Sequence, residues 1–266
     1  MATNRPQISV PLFSARDIIL AELCALDLRN GIDFQTGTAL STSDEDLLVA
    51  FSHPTYAITN GGSTTQSISP VDIEKLVRVA QLRQILRGKT PTDYQAGISN
   101  FSAKVLPIYK NWINQSISIP SHIHATKAIL DWSPTFAGVN TITQAQGRHR
   151  VALCSRILFF AVPELPFFNF SRALSKSFKL QFRAEQALPH FNKIMEIGYH
   201  LNWSVLTSAQ MPQSTRLNEK IMASALKADW WGRRILDIAL LLHFGIAHAR
   251  MPLQTQAQGI AVSRGV

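Results

Sequence analysis

The chain has 266 residues, enough for one large domain or two small ones, and its 46% apolar composition supports a sizeable buried core. Lysine and arginine number 26 against 17 acidic residues, so the net charge is +9, the balance expected of a protein that meets polyanions such as nucleic acids. The cysteines, Cys24 and Cys154, are too few for a disulfide framework or a cysteine-based metal site. No segment approaches the roughly 20 apolar residues of a membrane span, and the N-terminus does not resemble a secretory leader, which predicts a cytoplasmic protein without a membrane partner.

The N-terminal part of the chain contains two predicted helices. Residues 14–30 carry apolar side chains at helical spacing and end at Asn30-Gly31. A polar loop over residues 31–41 contains Asp33, after which Ser43 is expected to cap a short helix reaching residue 51. Residues 53–69 show no apolar period, and we interpret them as a loop that can contact the partner.

Helices are predicted for most of the remaining chain, because apolar residues recur at helical spacing between turn signals. Their predicted bounds are 69–86, 92–114 with a bend near Pro107, 119–134, 184–203, 217–226 and 229–248. Residues 251–266 are polar and contain glycine, so we expect a flexible, frayed tail there.

Strand signals are weak throughout, and the sequence shows neither an internal repeat nor a heptad series. The predicted fold class is therefore mainly α, a multi-helix architecture with about ten helices and few or no strands. No composition shift divides the chain, so residues 1–250 are expected to form a single helical domain.

Several common catalytic motifs are missing from the sequence. It has no phosphate-binding glycine-rich loop, no dinucleotide-binding glycine motif and no Gly-x-Ser-x-Gly elbow. His122 and His124 lie close together but have no cysteine or carboxylate at metal-ligand spacing. We therefore predict neither a metal site nor a cofactor.

One stretch combines a basic helix start, an apolar helix, a proline-punctuated turn and a second helix beginning near Asn169. It reads Ser155-Arg-Ile-Leu-Phe-Phe-Ala-Val-Pro-Glu-Leu-Pro-Phe-Phe-Asn-Phe-Ser-Arg-Ala-Leu174. It resembles the segment of 8-oxoguanine-type DNA glycosylases, in the helix-hairpin-helix superfamily, in which a Ser-Lys-Ile-Leu-His-Phe helix leads to a Phe-Pro-Ile-Tyr-Asp-Ser-Arg turn. The later Arg233-Arg-Ile-Leu-Asp-Ile-Ala-Leu-Leu-Leu-His-Phe-Gly245 resembles the closing Arg-x-Leu-Asp-x-Ala-Leu-Trp helix of the same proteins. The resemblance covers a core of residues 146–245 and implies a DNA-glycosylase-like architecture.

The resemblance also implies a catalytic pair, which is altered in this chain. Arg150 stands where the superfamily has a nucleophilic lysine, and a guanidinium that stays protonated cannot form a Schiff base. The superfamily's aspartate is replaced by Asn169 or, in another alignment, by Phe170. We favour Asn169, whose amide oxygen can position a water beside the sugar while His149, Arg150 or Arg172 assists the departing base. The alternative is that Asn169 only caps a helix beginning at Phe170.

Asp237, in the apolar closing helix, is a second candidate for the catalytic site. A buried carboxylate needs a cation or several donors, which Arg233, Arg234 or Arg172 can supply. The weightier interpretation is structural, with Asp237 holding this helix against the hairpin. Asp33 and Asp131 are weaker candidates, recommended only by their positions near loops.

Basic and aromatic residues surround the hairpin. Four of the cations have the spacing of one face of one helix, as expected of a track that contacts DNA phosphates, although a solvated face has the same pattern. The predicted DNA-binding residues are Arg148, Arg156, Arg172, Lys176, Lys179 and Arg183. Aromatic rings can hold a base extruded from the duplex, while most such rings belong to the core. The predicted base pocket consists of Phe168, Phe170 and Trp132, and Phe167, Trp230 and Trp231 are further candidates.

These observations lead to three expectations for function. The first is a monofunctional DNA glycosylase that removes a modified base from double-stranded DNA and leaves an abasic site. The resemblance extends to bacterial antiviral proteins that excise hypermodified bases from phage DNA, which favours a substrate such as glucosylated hydroxymethylcytosine. The alternatives are a non-catalytic DNA-binding protein of the same fold and a helical scaffold protein.

Overall fold

A computed structural model of the protein describes residues 13–40, 43–48, 155, 159–160, 168–181, 186–197, 212–213 and 230–265. Helix predominates in these ranges, and their only β-structure is an isolated antiparallel bridge between Ile32 and Ala39. The mainly α fold class predicted from the sequence is thus confirmed. The helices expected within residues 69–134 and 217–226, and the loop over 53–69, lie outside the described ranges.

The first helix, α1, spans Ala15–Arg29, close to the predicted bounds. Ser14 and Asp17 form a reciprocal capping box, in which the Ser14 hydroxyl accepts from the Asp17 amide and the Asp17 carboxylate accepts from the Ser14 amide. The chain leaves the helix through Gly31, whose φ of +77° is accessible to glycine at little cost.

A polar loop and a second short helix follow. The Asp33 carboxylate accepts from the backbone amides of Gln35 and Thr36, so this aspartate stabilises the loop rather than a reaction site. Ser43 caps helix α2, residues 44–48, by accepting from the Asp46 amide, as predicted.

Helix α3 spans Arg172–Ser177, which begins later and ends earlier than the sequence suggested. Its N-cap is Ser171, whose hydroxyl accepts from the Leu174 amide. At the other end the Leu180 amide donates to the Ser175 carbonyl over 2.8 Å, which closes the helix with Lys179 at φ +58°. Lys179 therefore does not continue the face that was predicted to run along one helix from residue 172 to residue 183.

Two further helices correspond to predicted ones. Helix α4 spans Ala187–Ile197, within the predicted 184–203. Helix α5 spans Trp230–His243, within the predicted 229–248, and every residue from 230 to 240 is buried. This burial on all sides explains its nearly continuous apolar sequence and makes α5 the central helix of the described structure.

The C-terminal residues form a helix and not the flexible tail that we predicted. Helix α6 spans Met251–Ser263 and packs on α1, where Ala257 and Ala261 contact Ile19. The prediction was wrong because alanine and glutamine give only a weak apolar periodicity. Alanine nevertheless favours helix, and its small side chain allows two helices to approach closely. No helix in the described ranges is long and apolar enough to cross a membrane.

Candidate functional site

A cavity of about 280 Å³ lies between the N-terminal part of the chain, the turn before α3, and α5. Six of its eleven lining residues are apolar and five are polar or charged, and small-molecule sites combine both kinds of group. The N-terminal segment thus contributes directly to the cavity. The lining residues are Leu28, Phe34, Asp44, Leu47, Phe160, Asn169, Ser171, Arg234, Asp237, Ile238 and Leu241.

Four polar side chains of the cavity wall form a continuous chain of hydrogen bonds. Arg234 Nε donates to Asp44 Oδ2 over 2.7 Å, and Arg234 Nη1 donates to Asp237 Oδ2 over 3.1 Å. The Asn169 side-chain nitrogen donates to the same Asp237 oxygen over 2.9 Å. Asp44, Arg234 and Asp237 are each at most 9% exposed, so this chain links α2, the turn and α5 within the protein interior.

Arg234 stays charged in this setting. Burial acts most strongly on its guanidinium and by itself lowers the pKa, but the adjacent Asp44 and Asp237 carboxylates offset it and raise the pKa above its ordinary value. Of the three cations expected near Asp237, the structure places Arg234 in hydrogen-bond contact with it. Arg172 is exposed, and the Arg233 guanidinium lies 5.7 Å from the ring centre of Phe159.

The orientation of the Asn169 amide follows from this chain. The carboxylate of Asp237 only accepts hydrogen bonds, so the amide nitrogen must face it and the amide oxygen must point elsewhere. That oxygen, Oδ1, is buried and has no hydrogen-bond partner in the described structure. Asn169 is not a helix cap, because Ser171 caps α3, so the capping alternative is wrong.

The backbone of Asn169 is held by a histidine that the sequence analysis did not single out. His190, on α4, is fully buried, and its Nε2 lies 3.2 Å from the Asn169 carbonyl oxygen. Its Nδ1 lies 3.0 Å from the Ser175 hydroxyl. A carbonyl only accepts, so Nε2 carries the proton and Nδ1 accepts from Ser175. Burial lowers the pKa of His190 to about 4, which keeps the ring neutral at physiological pH, although the bond to Asn169 acts in the opposite direction.

The two described members of the predicted base pocket are buried. Phe168 and Phe170 are at most 2% exposed and pack against Phe191, and Phe170 also meets the His190 ring edge-to-face at 4.9 Å. These rings form core beneath the turn and do not line the cavity, whereas Phe160 does. Trp230 and Trp231 are also buried, as expected of core rings.

The predicted DNA-binding cations are exposed where the structure describes them. Arg172, Lys176 and Lys179 all reach solvent, and Arg172 directly follows Ser171 at the cavity wall. The other predicted DNA-binding residues, Arg148, Arg156 and Arg183, lie outside the described residues. The same holds for Arg150 and Trp132.

The sequence analysis missed Asp44, Ser171 and His190. Asp44 was missed because acidic residues in the first turn of a helix are ordinarily explained by the helix dipole. Its partner, Arg234, is 190 positions away in the sequence, so no local pattern indicates the pair. No cluster of three potential metal ligands occurs among the residues described. Comparison of the chain with protein-family models, characterised proteins and solved structures finds no match.

Proposed function

We propose that the protein is a monofunctional DNA glycosylase, which hydrolyses the N-glycosidic bond of a modified base and leaves an abasic site. The observation that carries the proposal is the state of Asn169 at the cavity wall. Its amide nitrogen is engaged by Asp237, and its buried oxygen has no partner among the described residues. An unmatched buried acceptor costs about 1–3 kcal/mol, a cost that a site offsets when substrate or water supplies the missing donor.

In the proposed reaction Asn169 holds the attacking water. A water proton is donated to Asn169 Oδ1, which directs the water oxygen towards the sugar C1′. The C1′–N bond breaks with its electron pair on the departing base, the water oxygen bonds to C1′, and the proton that this water loses passes to the base, which leaves as a neutral molecule. Positive charge develops on the sugar in the transition state, and the Asp237 carboxylate next to Asn169 stabilises it.

The cavity suits a base taken out of the duplex. Apolar side chains of Leu28, Phe34 and Phe160 offer surface against which a planar ring packs, and polar groups line the same cavity. For the substrate class we retain hypermodified phage bases such as glucosylated hydroxymethylcytosine, which rests on the resemblance of the hairpin sequence. An enzyme with this substrate would work in the cytoplasm.

Double-stranded DNA is the proposed partner. The exposed Arg172, Lys176 and Lys179 lie on the segment that follows the cavity residue Ser171, where they can contact phosphates flanking an extruded nucleotide. The same cations favour a second candidate, a non-catalytic DNA-binding protein, which needs the exposed face but not the cavity.

An assay for abasic sites separates these functions. The protein is incubated with phage DNA carrying glucosylated hydroxymethylcytosine and with duplexes carrying 8-oxoguanine. We expect abasic sites with the wild type, none with Asn169→Ala, and wild-type yield with Asn192→Ala, a matched change at an exposed position on α4. Salt-dependent binding without abasic sites on either DNA would leave the non-catalytic candidate, and absence of binding would leave a helical scaffold.

A further inference from the structure

We infer that His190 is a positioning residue of the proposed glycosylase, fixing the main chain of Asn169 while Asp237 fixes its side chain. The inference rests on the proposed function for its catalytic consequence. Its structural content, that His190 holds the main chain of Asn169, stands on contacts alone.

The two restraints on Asn169 come from different helices and act on different atoms. His190 Nε2, on α4, donates to the backbone oxygen, and Asp237, on α5, accepts from the side-chain nitrogen. With the carbonyl and the side-chain nitrogen held, the remaining polar atom of the side chain, Oδ1, has a defined position. A water held by that oxygen is then directed towards one point in the cavity.

His190 is itself held in one orientation and one tautomer. Ser175 on α3 donates to Nδ1, and the rings of Phe170, Phe178 and Phe191 surround the imidazole at centroid distances of 4.9, 5.3 and 5.9 Å. Because burial keeps the ring neutral, Nε2 donates to Asn169 and Nδ1 accepts at physiological pH. The three neighbouring rings are apolar, so their packing alone does not call for a histidine at this position.

Three variants test the inference. His190→Phe keeps an aromatic ring, somewhat larger than imidazole, but removes the bond to Asn169, and His190→Gln restores a donor near the Nε2 position. Phe178→Leu is the matched control, because it loosens the same aromatic cluster without removing a hydrogen bond to Asn169. Thermal unfolding measures the loss of stability for each, so that effects on activity can be compared at similar stability.

For the wild type and the three variants, steady-state base excision gives kcat and KM on the DNA from which the enzyme removes a base. We expect His190→Phe to lower kcat about tenfold or more with little change in KM, since a misplaced catalytic group slows the reaction without weakening DNA binding. His190→Gln is expected to recover part of kcat, and Phe178→Leu to retain it. A kcat that falls with stability alone, equally in His190→Phe and Phe178→Leu, would overturn the inference.

A second readout does not depend on catalysis. The side-chain amide of Asn169, assigned in the 15N spectrum by its loss in Asn169→Ala, should give a sharp, shifted pair of signals in the wild type and in His190→Gln. In His190→Phe the pair should broaden or move towards the position of a free amide. An unchanged pair in His190→Phe would refute the positioning role even if the wild type excises a base. If the pair changes in His190→Phe but the wild type excises no base, the positioning of Asn169 by His190 stands and only the glycosylase proposal is refuted.

Discussion

The side-chain nitrogen of Asn169 donates to the carboxylate of Asp237 over 2.9 Å, although 68 residues separate the two positions. Each is a candidate for the catalytic site on sequence grounds, and the two lie in separate motifs, residues 155–174 and 233–245. Their contact gives Asp237 the structural role expected of it, because this carboxylate joins α5 to the turn before α3.

The cap of α3 can be tested by hydrogen exchange. Ser171→Ala removes the acceptor of the Leu174 amide and should destabilise the helix start by about 1 kcal/mol, so that the Leu174 amide exchanges faster. Asn169→Ala should leave exchange at Leu174 close to that of the wild type. Equal acceleration in both variants would restore a capping role for Asn169.

Lys179 adopts a left-handed conformation, at φ +58°, that an L side chain rarely takes. Lys179→Gly should raise the free energy of unfolding by about 0.5–1 kcal/mol, because relief of the backbone strain exceeds the entropy that glycine adds to the unfolded chain. Urea denaturation measures the difference, and Lys179→Ala, which keeps the strain, should show no gain.

The same two variants report on DNA binding. If Lys179 contacts a phosphate, both substitutions should weaken binding and reduce the slope of log affinity against log salt by about 1. A stabilised Lys179→Gly with unchanged salt dependence would show that the strained lysine does not contact DNA.

Arg234 joins two buried carboxylates, so its loss should be costly. Arg234→Met should lower the free energy of unfolding by about 3–5 kcal/mol, because it leaves Asp44 and Asp237 without the cation that they share. Lys193→Met is a matched control at the Lys193–Glu196 pair, where one partner is 47% exposed, and should cost less than about 1 kcal/mol. Similar costs in the two variants would contradict the buried network.

His190 makes stability depend on pH in a defined direction. Its pKa is about 4 in the folded protein against an ordinary value of 6.5, so the unfolded chain binds the proton first as the pH falls. The neutral His190 ring contributes fully to the free energy of unfolding above about pH 6.5. This contribution, about 3 kcal/mol in total, is lost as the pH falls towards 4. Urea denaturation measures the free energy of unfolding of the wild type and of His190→Phe. The wild type should lose about that amount relative to the variant as the pH falls from 6.5 towards 4. A constant difference would indicate a histidine that titrates normally.

The packing of α6 predicts where the C-terminal helix tolerates change. Leu253 is buried, and Leu253→Ala should lower the free energy of unfolding by about 2–4 kcal/mol through the cavity that it leaves. Val262, on the same helix, is 74% exposed, so Val262→Ala should change stability by less than about 0.5 kcal/mol. Urea denaturation measures the free energy of unfolding of both variants. Equally small changes in the two would indicate that the C-terminal residues form a frayed tail.

Local sequence signals determined the helices and their ends wherever the signals were strong. Ser14 and Asp17 specify the start of α1, Asn30-Gly31 ends it, and the apolar run around Ile235 predicts a buried α5. These features depend on residues within one or two turns of each other, so a sequence contains them in full. The signals failed where they were weak, at the alanine-rich α6, or where two residues competed for one role, at Asn169 and Ser171.

Contacts between distant residues were decided only by the tertiary structure. Asp44 meets Arg234 across 190 residues, His190 reaches the Asn169 carbonyl across 21, and Phe160 rather than Phe168 faces the cavity. Periodicity shows that a side chain is buried, but it does not show which helix covers it or which polar group it meets there. The sequence therefore predicted a helical protein with Asn169 and Asp237 as candidates. Packing joined these two residues, placed Arg234 against Asp237, and brought Asp44 and His190 next to them.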